Sequence, residues 1–146
     1  MTEMLTQSEL IKRLLLAGLI GGLLGAEREL RRKPAGFRTN ILIGLGCAIF
    51  TMVSTSLSSA SPDRIAAQIV TGVGFLGAGA IMREQSGGVH GVTTAATVWV
   101  NAALGTAAGA GQYMLATIGG AITLAVLAVL GPVEAAIERR VGARKD

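Results

Sequence analysis

The sequence predicts an all-α membrane protein of five transmembrane helices, and three observations carry that prediction. The 146 residues have a mean hydropathy of +0.58, with only 15% charged residues. From Gln85 to Val133 there is no Asp, Glu, Lys or Arg, and a globular surface cannot run that far uncharged. The chain holds 21 Gly and only 3% aromatic residues. A soluble core would be poorly filled by that mixture, whereas helices in lipid use small residues to bring backbones together.

A span needs about 20 mainly apolar residues. The first candidate runs from Leu10 to Ala26, and it spans if Lys12 and Arg13 snorkel toward the headgroups. It ends in Ala26-Glu27-Arg28-Glu29 rather than in a small-residue cleavage site, so it reads as an uncleaved span. The others are Asn40–Ser58, Ile65–Met82, Val92–Gly109 and Tyr113–Leu130. Between the first two lies a basic connector with the turn Pro34-Ala35-Gly36. Ser61-Pro62-Asp63 reads as a helix start, Gln85–Gly91 as a Gly-containing turn, and Ala110-Gly111-Gln112 as the tip of a tight helical hairpin. Residues 1–131 form one transmembrane domain and 132–146 a charged cytoplasmic tail.

Basic residues set the orientation. With the N-terminus outside, five crossings place ten Lys and Arg inside: Arg28, Arg31, Arg32, Lys33, Arg38, Arg83, Arg139, Arg140, Arg144 and Lys145. Only Lys12, Arg13 and Arg64 then stay outside. The net charge of +4 is thereby a matter of topology, and no basic domain face remains for nucleic acid.

Gly72-Val73-Gly74-Phe75-Leu76-Gly77 matches the dinucleotide fingerprint. It lies within an apolar stretch and lacks the strand–turn–helix setting and the distal acid that give the motif its chemistry. It reads instead as a contact face, with Thr71, Gly74 and Ala78 at i, i+3 and i+7 and with Gly72 and Gly79 two turns apart. Gly18 with Gly22, Gly21 with Gly25, and Gly105 with Gly109 form further small-residue faces. Gly77 belongs to the same set. Such faces serve packing within one chain or between copies of a homo-oligomer.

Glu27, Arg28 and Glu29 at the inner end of span one form either an interfacial stop or a polar site shared with Arg38. Asp63 and Arg64 open span three as a helix-start carboxylate and an anchor; with Gln68 one turn deeper they could instead line a polar entry. Thr93 and Thr94 can cap span four. Thr97 and Asn101 continue the face of Thr93, and Asn101 at mid-depth must find a partner, since an unpaired amide in hydrocarbon is costly. Interhelical bonding is the preferred reading of it. His90 has no second His or Cys at metal-ligand spacing, Cys47 is the only cysteine and reads as a small buried residue, and no nucleophile–base constellation has context. Neither catalysis nor a cofactor is expected.

Three stretches resemble signatures of the MgtC/SapB membrane protein family: Glu27-Arg28-Glu29 with Lys33-Pro34-Ala35-Gly36-Phe37-Arg38-Thr39-Asn40, then Pro62 to Gly79, then Gly91-Val92-Thr93-Thr94-Ala95-Ala96-Thr97-Val98-Trp99. The resemblance covers about residues 8 to 130. It implies a five-helix bacterial inner-membrane domain linked to growth at low magnesium. In some members it implies survival in macrophages and inhibition of the proton-translocating ATP synthase. Many members add an ACT-like cytoplasmic domain after the fifth span, and some have Asn at the position of Thr93. The expected function is regulation of a membrane-protein partner through helix packing. The alternative is a transporter or channel for Mg2+ or another cation. Mg2+ favours carboxylate ligands, and no span carries an acid at its centre.

Overall fold

The computed structural model describes residues 6–57, 63–83, 88–133, 137 and 140, with backbone alone at 63, 65, 66, 82 and 83. The expected helix start at Ser61-Pro62 and nearly all of the tail lie outside the described residues. Five helices follow in order: α1 (Gln7–Leu30), α2 (Phe37–Ser56), α3 (Asp63–Ala80), α4 (Val92–Gly109) and α5 (Tyr113–Ala125). The chain after α5 stays helical to Val133. Between α3 and α4 lie two short antiparallel strands, β1 (Met82–Arg83) and β2 (Val89–His90), where the sequence predicted only a turn.

Two helices are long and apolar enough to cross a membrane on length and composition, Phe37–Ser56 and Tyr113–Val133; Ala67–Ala80 is apolar but shorter. The other helices fall short for identifiable reasons. α1 carries charge at both ends. α4 is diluted by Thr, Asn and Gly because it is the central helix, packed against α1, α2, α3 and α5. Thr94, Thr97 and Asn101 of α4 are buried against the other helices, while Thr93 is exposed. The outward surface is apolar, with Leu15, Leu42, Phe75 and Leu115 exposed, as expected of a bundle solvated by hydrocarbon.

Glycine sets the spacing of α1, α2 and α4. A Cβ on Gly105 would lie 2.5 Å from the Gly44 carbonyl oxygen, one on Gly109 2.5 Å from that of Ala48, one on Gly21 2.5 Å from that of Asn40, and one on Gly25 2.7 Å from Phe37 Cα. No side chain fits at those distances, so these backbones touch. Gly18, Gly22 and Gly77 make ordinary contacts with neighbouring side chains. On α3, Gly72, Gly74 and Gly79 have nothing within 4 Å of an added Cβ, so no described residue of the same chain packs at these positions.

Two helix ends close in Schellman geometry. At the end of α4, Gly111 N–H bonds Ala108 O at 3.0 Å and Gln112 N–H bonds Ala107 O at 2.9 Å, with Gly111 at φ +77°. This makes the predicted tight hairpin. At the end of α1, Arg32 N–H bonds Glu29 O at 3.0 Å and Lys33 N–H bonds Arg28 O at 2.9 Å. Here the left-handed position is held by Arg32, at φ +54°.

The helix ends are also tied to one another. Arg13 Nη1 donates to Gly109 O at 2.8 Å, satisfying an orphan carbonyl at the C-terminus of α4. Lys12 pairs with Glu9 at 3.1 Å, and the Tyr113 hydroxyl donates to Glu9. At the opposite end Arg31 Nη2 donates to Ala128 O at 2.8 Å. Pro132, four residues on, has no N–H for that carbonyl, and the helix widens to π geometry over Val126–Leu130.

Candidate functional site

The most buried polar groups are two asparagines. Asn40 and Asn101 are each 0% exposed. Asn101 Nδ2 donates to Asn40 O at 2.8 Å and to Asn40 Oδ1 at 3.1 Å, joining α4 to α2. Asn40 Nδ2 in turn donates to Ala35 O and, at 3.2 Å, to Gly36 O. It thereby fixes the connector where Ala35 adopts φ +56°. Asn101 Oδ1 accepts no bond. The sequence demanded a partner for Asn101, and the partner is Asn40. The sequence reading missed Asn40 as a site residue, although an amide in the first turn of an apolar helix carries the same demand.

Beside this core, at the end of α1, Glu27 and Arg28 are buried. Arg28 Nε donates to Glu27 Oε2 at 2.6 Å, and Arg31 Nε lies 2.5 Å from Glu27 Oε1. One carboxylate thus faces two guanidiniums. Glu29 points the other way and accepts from Phe37 N–H at 2.9 Å, serving as the N-terminal cap of α2. A Cβ on Gly36 would meet that carboxylate, so a larger residue there would shift the Glu29 side chain.

The third feature is a cleft of about 810 Å³ between α2 and α3, closed at the back by Val98 of α4. Its walls are mainly apolar. Pro34, Ala35 and Thr39 stand at one end, and Phe50 and Gln68 toward the other.

Several expected groupings are revised. Arg38 does not join the Glu27 cluster; it is exposed, and Arg31 takes the place foreseen for it. Thr93 and Thr94 do not cap α4: its N-cap is Gly91, at φ +91°, without a side-chain bond. Thr94 and Thr97 are buried beside Asn101's face, and Thr97 Oγ1 bonds Thr93 O at 2.8 Å. Arg64 is exposed, and Gln68 reaches the cleft, but no bond links the two. The side chain of Asp63 lies outside the described residues. Cys47 is buried and free. Among the described residues no three His, Cys, Asp or Glu side chains stand close enough to share a metal ion.

Fold and site together define a small helical bundle whose apolar exterior encloses glycine contacts and a few paired polar groups, the organisation of a membrane protein. The MgtC family model matches residues 14–136, and the chain belongs to the MgtC family. It is 50% identical over 113 residues to Protein MgtC of Salmonella typhimurium, covering 77% of this chain and 48% of the relative. To Protein MgtC of Brucella abortus it is 47% identical over 123 residues, covering 84% and 51%. A protein of Escherichia coli K12 named as a candidate magnesium transporter, YhiD, is 48% identical over 132 residues, covering 84% and 60%. The chain thus spans about half the length of the curated relatives it matches. No solved structure matches it.

Proposed function

We propose that this chain is a five-span inner-membrane regulatory protein, N-terminus outside and C-terminus cytoplasmic, that acts in magnesium limitation by packing against the helices of a membrane partner. The family resemblance points to the proton-translocating ATP synthase as one such partner. The observation that carries the reading is the outward stripe of α3. Thr71, Gly74 and Ala78 are exposed, and Gly74 has nothing within 4 Å of an added Cβ. A small-residue stripe left open in lipid suits a second helix, from a partner or another copy. The interior supports the same reading. Asn101 is joined to Asn40, and the Glu27 carboxylate faces two guanidiniums, an unfavourable lining for a divalent cation.

Transport is the second reading, favoured by the name of the Escherichia coli relative and by the free Oδ1 of Asn101. The two separate by experiment. Proteoliposomes are assayed for Mg2+ flux, with Asn101→Ala and Gln68→Ala alongside. In parallel, a photo-crosslinker placed at Ala78, exposed on the same stripe, is activated in native membranes, with and without Gly74→Leu. Crosslinks that Gly74→Leu abolishes, with no flux above empty vesicles, support regulation. Flux that both alanine variants lose refutes it.

A further inference from the structure

We propose that the cleft between α2 and α3 binds an anionic phospholipid, with an acyl chain along the groove and the phosphate at the Pro34–Thr39 end. The inference rests on the membrane-spanning reading above. Three observations fit together. The cleft is long, mainly apolar and open at the side, and its volume of about 810 Å³ is that of a ligand site. Gly46 and Gly72 line it, and neither has an atom within 4 Å of an added Cβ. They keep a slot open and are not consumed in packing. At the Pro34–Thr39 end the slot meets positive charge, and toward the other end Arg64 is exposed one turn before Gln68. Lys33 and Arg38 flank Pro34 and Thr39, are exposed, and their side chains make no hydrogen bond or ion pair among the described residues.

The acidic side chains of that turn are already engaged. Glu27 faces Arg28 and Arg31, and Glu29 caps α2. Neither is left to neutralise Lys33 or Arg38, whose charge is available to a phosphate. An apolar slot with cations at one mouth is complementary to a phospholipid, which joins an apolar chain to an anion. A second copy of the chain is a poorer occupant. Two-fold packing through this face in one membrane would bring both cationic connectors to the same leaflet, side by side.

The test uses the full chain purified in mild detergent. Native mass spectrometry compares retention of phosphatidylglycerol with that of phosphatidylcholine bearing the same acyl chains. The wild type is expected to prefer phosphatidylglycerol by roughly tenfold, and Lys33→Ala with Arg38→Ala to bring the ratio near one. Gly72→Leu fills the slot and is expected to lose both lipids. Gly74→Leu makes the same chemical change on the same helix outside the cleft and should bind as wild type does. Equal retention of the two lipids, or equal binding by Gly72→Leu and Gly74→Leu, overturns the proposal. So does a wild-type dimer that Gly72→Leu dissociates, which would assign the cleft to a second copy. Alkaline extraction of the membranes separates the two levels. Release of the wild type into the aqueous phase sinks the spanning reading itself; retention in the membrane without lipid preference sinks only the lipid site.

Discussion

Replacing Asn101 with Ala probes the join between α2 and α4. The change removes two bonds, at 2.8 and 3.1 Å, and leaves Asn40 Oδ1 without its Asn101 donor at a site that is 0% exposed. A net hydrogen bond contributes about 0.5–1.5 kcal/mol, and a buried orphaned acceptor costs about 1–3 kcal/mol. Interhelical bonds in membrane proteins average nearer 0.6 kcal/mol. The expected destabilisation is therefore about 1–3 kcal/mol. Asn40→Ala should cost more, because it also frees Ala35 O and Gly36 O and loosens the connector. The double variant isolates the pair, and its coupling energy should be about 1 kcal/mol. Reversible unfolding in mixed dodecylmaltoside and SDS micelles, followed by circular dichroism, reads all three variants. A coupling energy indistinguishable from zero, or an Asn101→Ala variant as stable as the wild type, would refute the assignment of this pair as the α2–α4 clasp.

Three further outcomes follow from the same geometry. Gly105→Ala sets a Cβ 2.5 Å from the Gly44 carbonyl oxygen and should destabilise by about 1–3 kcal/mol, whereas Gly72→Ala meets open space and should stabilise by about 0.5–1 kcal/mol; the same unfolding assay ranks them. Arg32→Gly relieves a left-handed residue at φ +54° that costs about 1–2 kcal/mol, and after glycine's own entropy should gain about 0.5–1 kcal/mol, read as a shift in unfolding midpoint. Glu9, at the start of α1 outside its apolar stretch, is held below its ordinary value of 4.5, first by the Tyr113 hydroxyl and then by Lys12. A depressed carboxyl contributes stability that is complete above 4.5 and is lost as pH falls through the folded value, so Tyr113→Phe should flatten the acid limb of a pH–stability profile.

The sequence was most legible where a local signal sufficed. α4 occupies Val92–Gly109 as predicted, because Gly91 and Gly111 bracket it with positive φ. The boundaries of α1 were read short. Glu27 and Arg28 look like a helix stop until Arg31 is seen completing their pairing one turn further on. What stayed hidden depends on distant segments. Asn40 and Asn101 are 61 positions apart, and Arg13 meets Gly109 across 96. Glycine spacing alone could not tell the packed Gly25 from the open Gly72 and Gly74, since a small-residue face permits close approach without specifying which helix approaches. Of the α3 glycines, Gly72 and Gly79 line the cleft and Gly74 faces outward.

In the proposed topology the helices alternate through the bilayer, which puts the Arg13–Gly109 bond at one membrane face and the Arg31–Ala128 bond at the other. Single cysteines at Lys33 and Gln112, introduced after Cys47→Ser and labelled in intact cells with a membrane-impermeant maleimide, test this directly. Labelling at 112 alone, with 33 reacting only after the membrane is opened, is the predicted result. Labelling of both positions from the same side would contradict it.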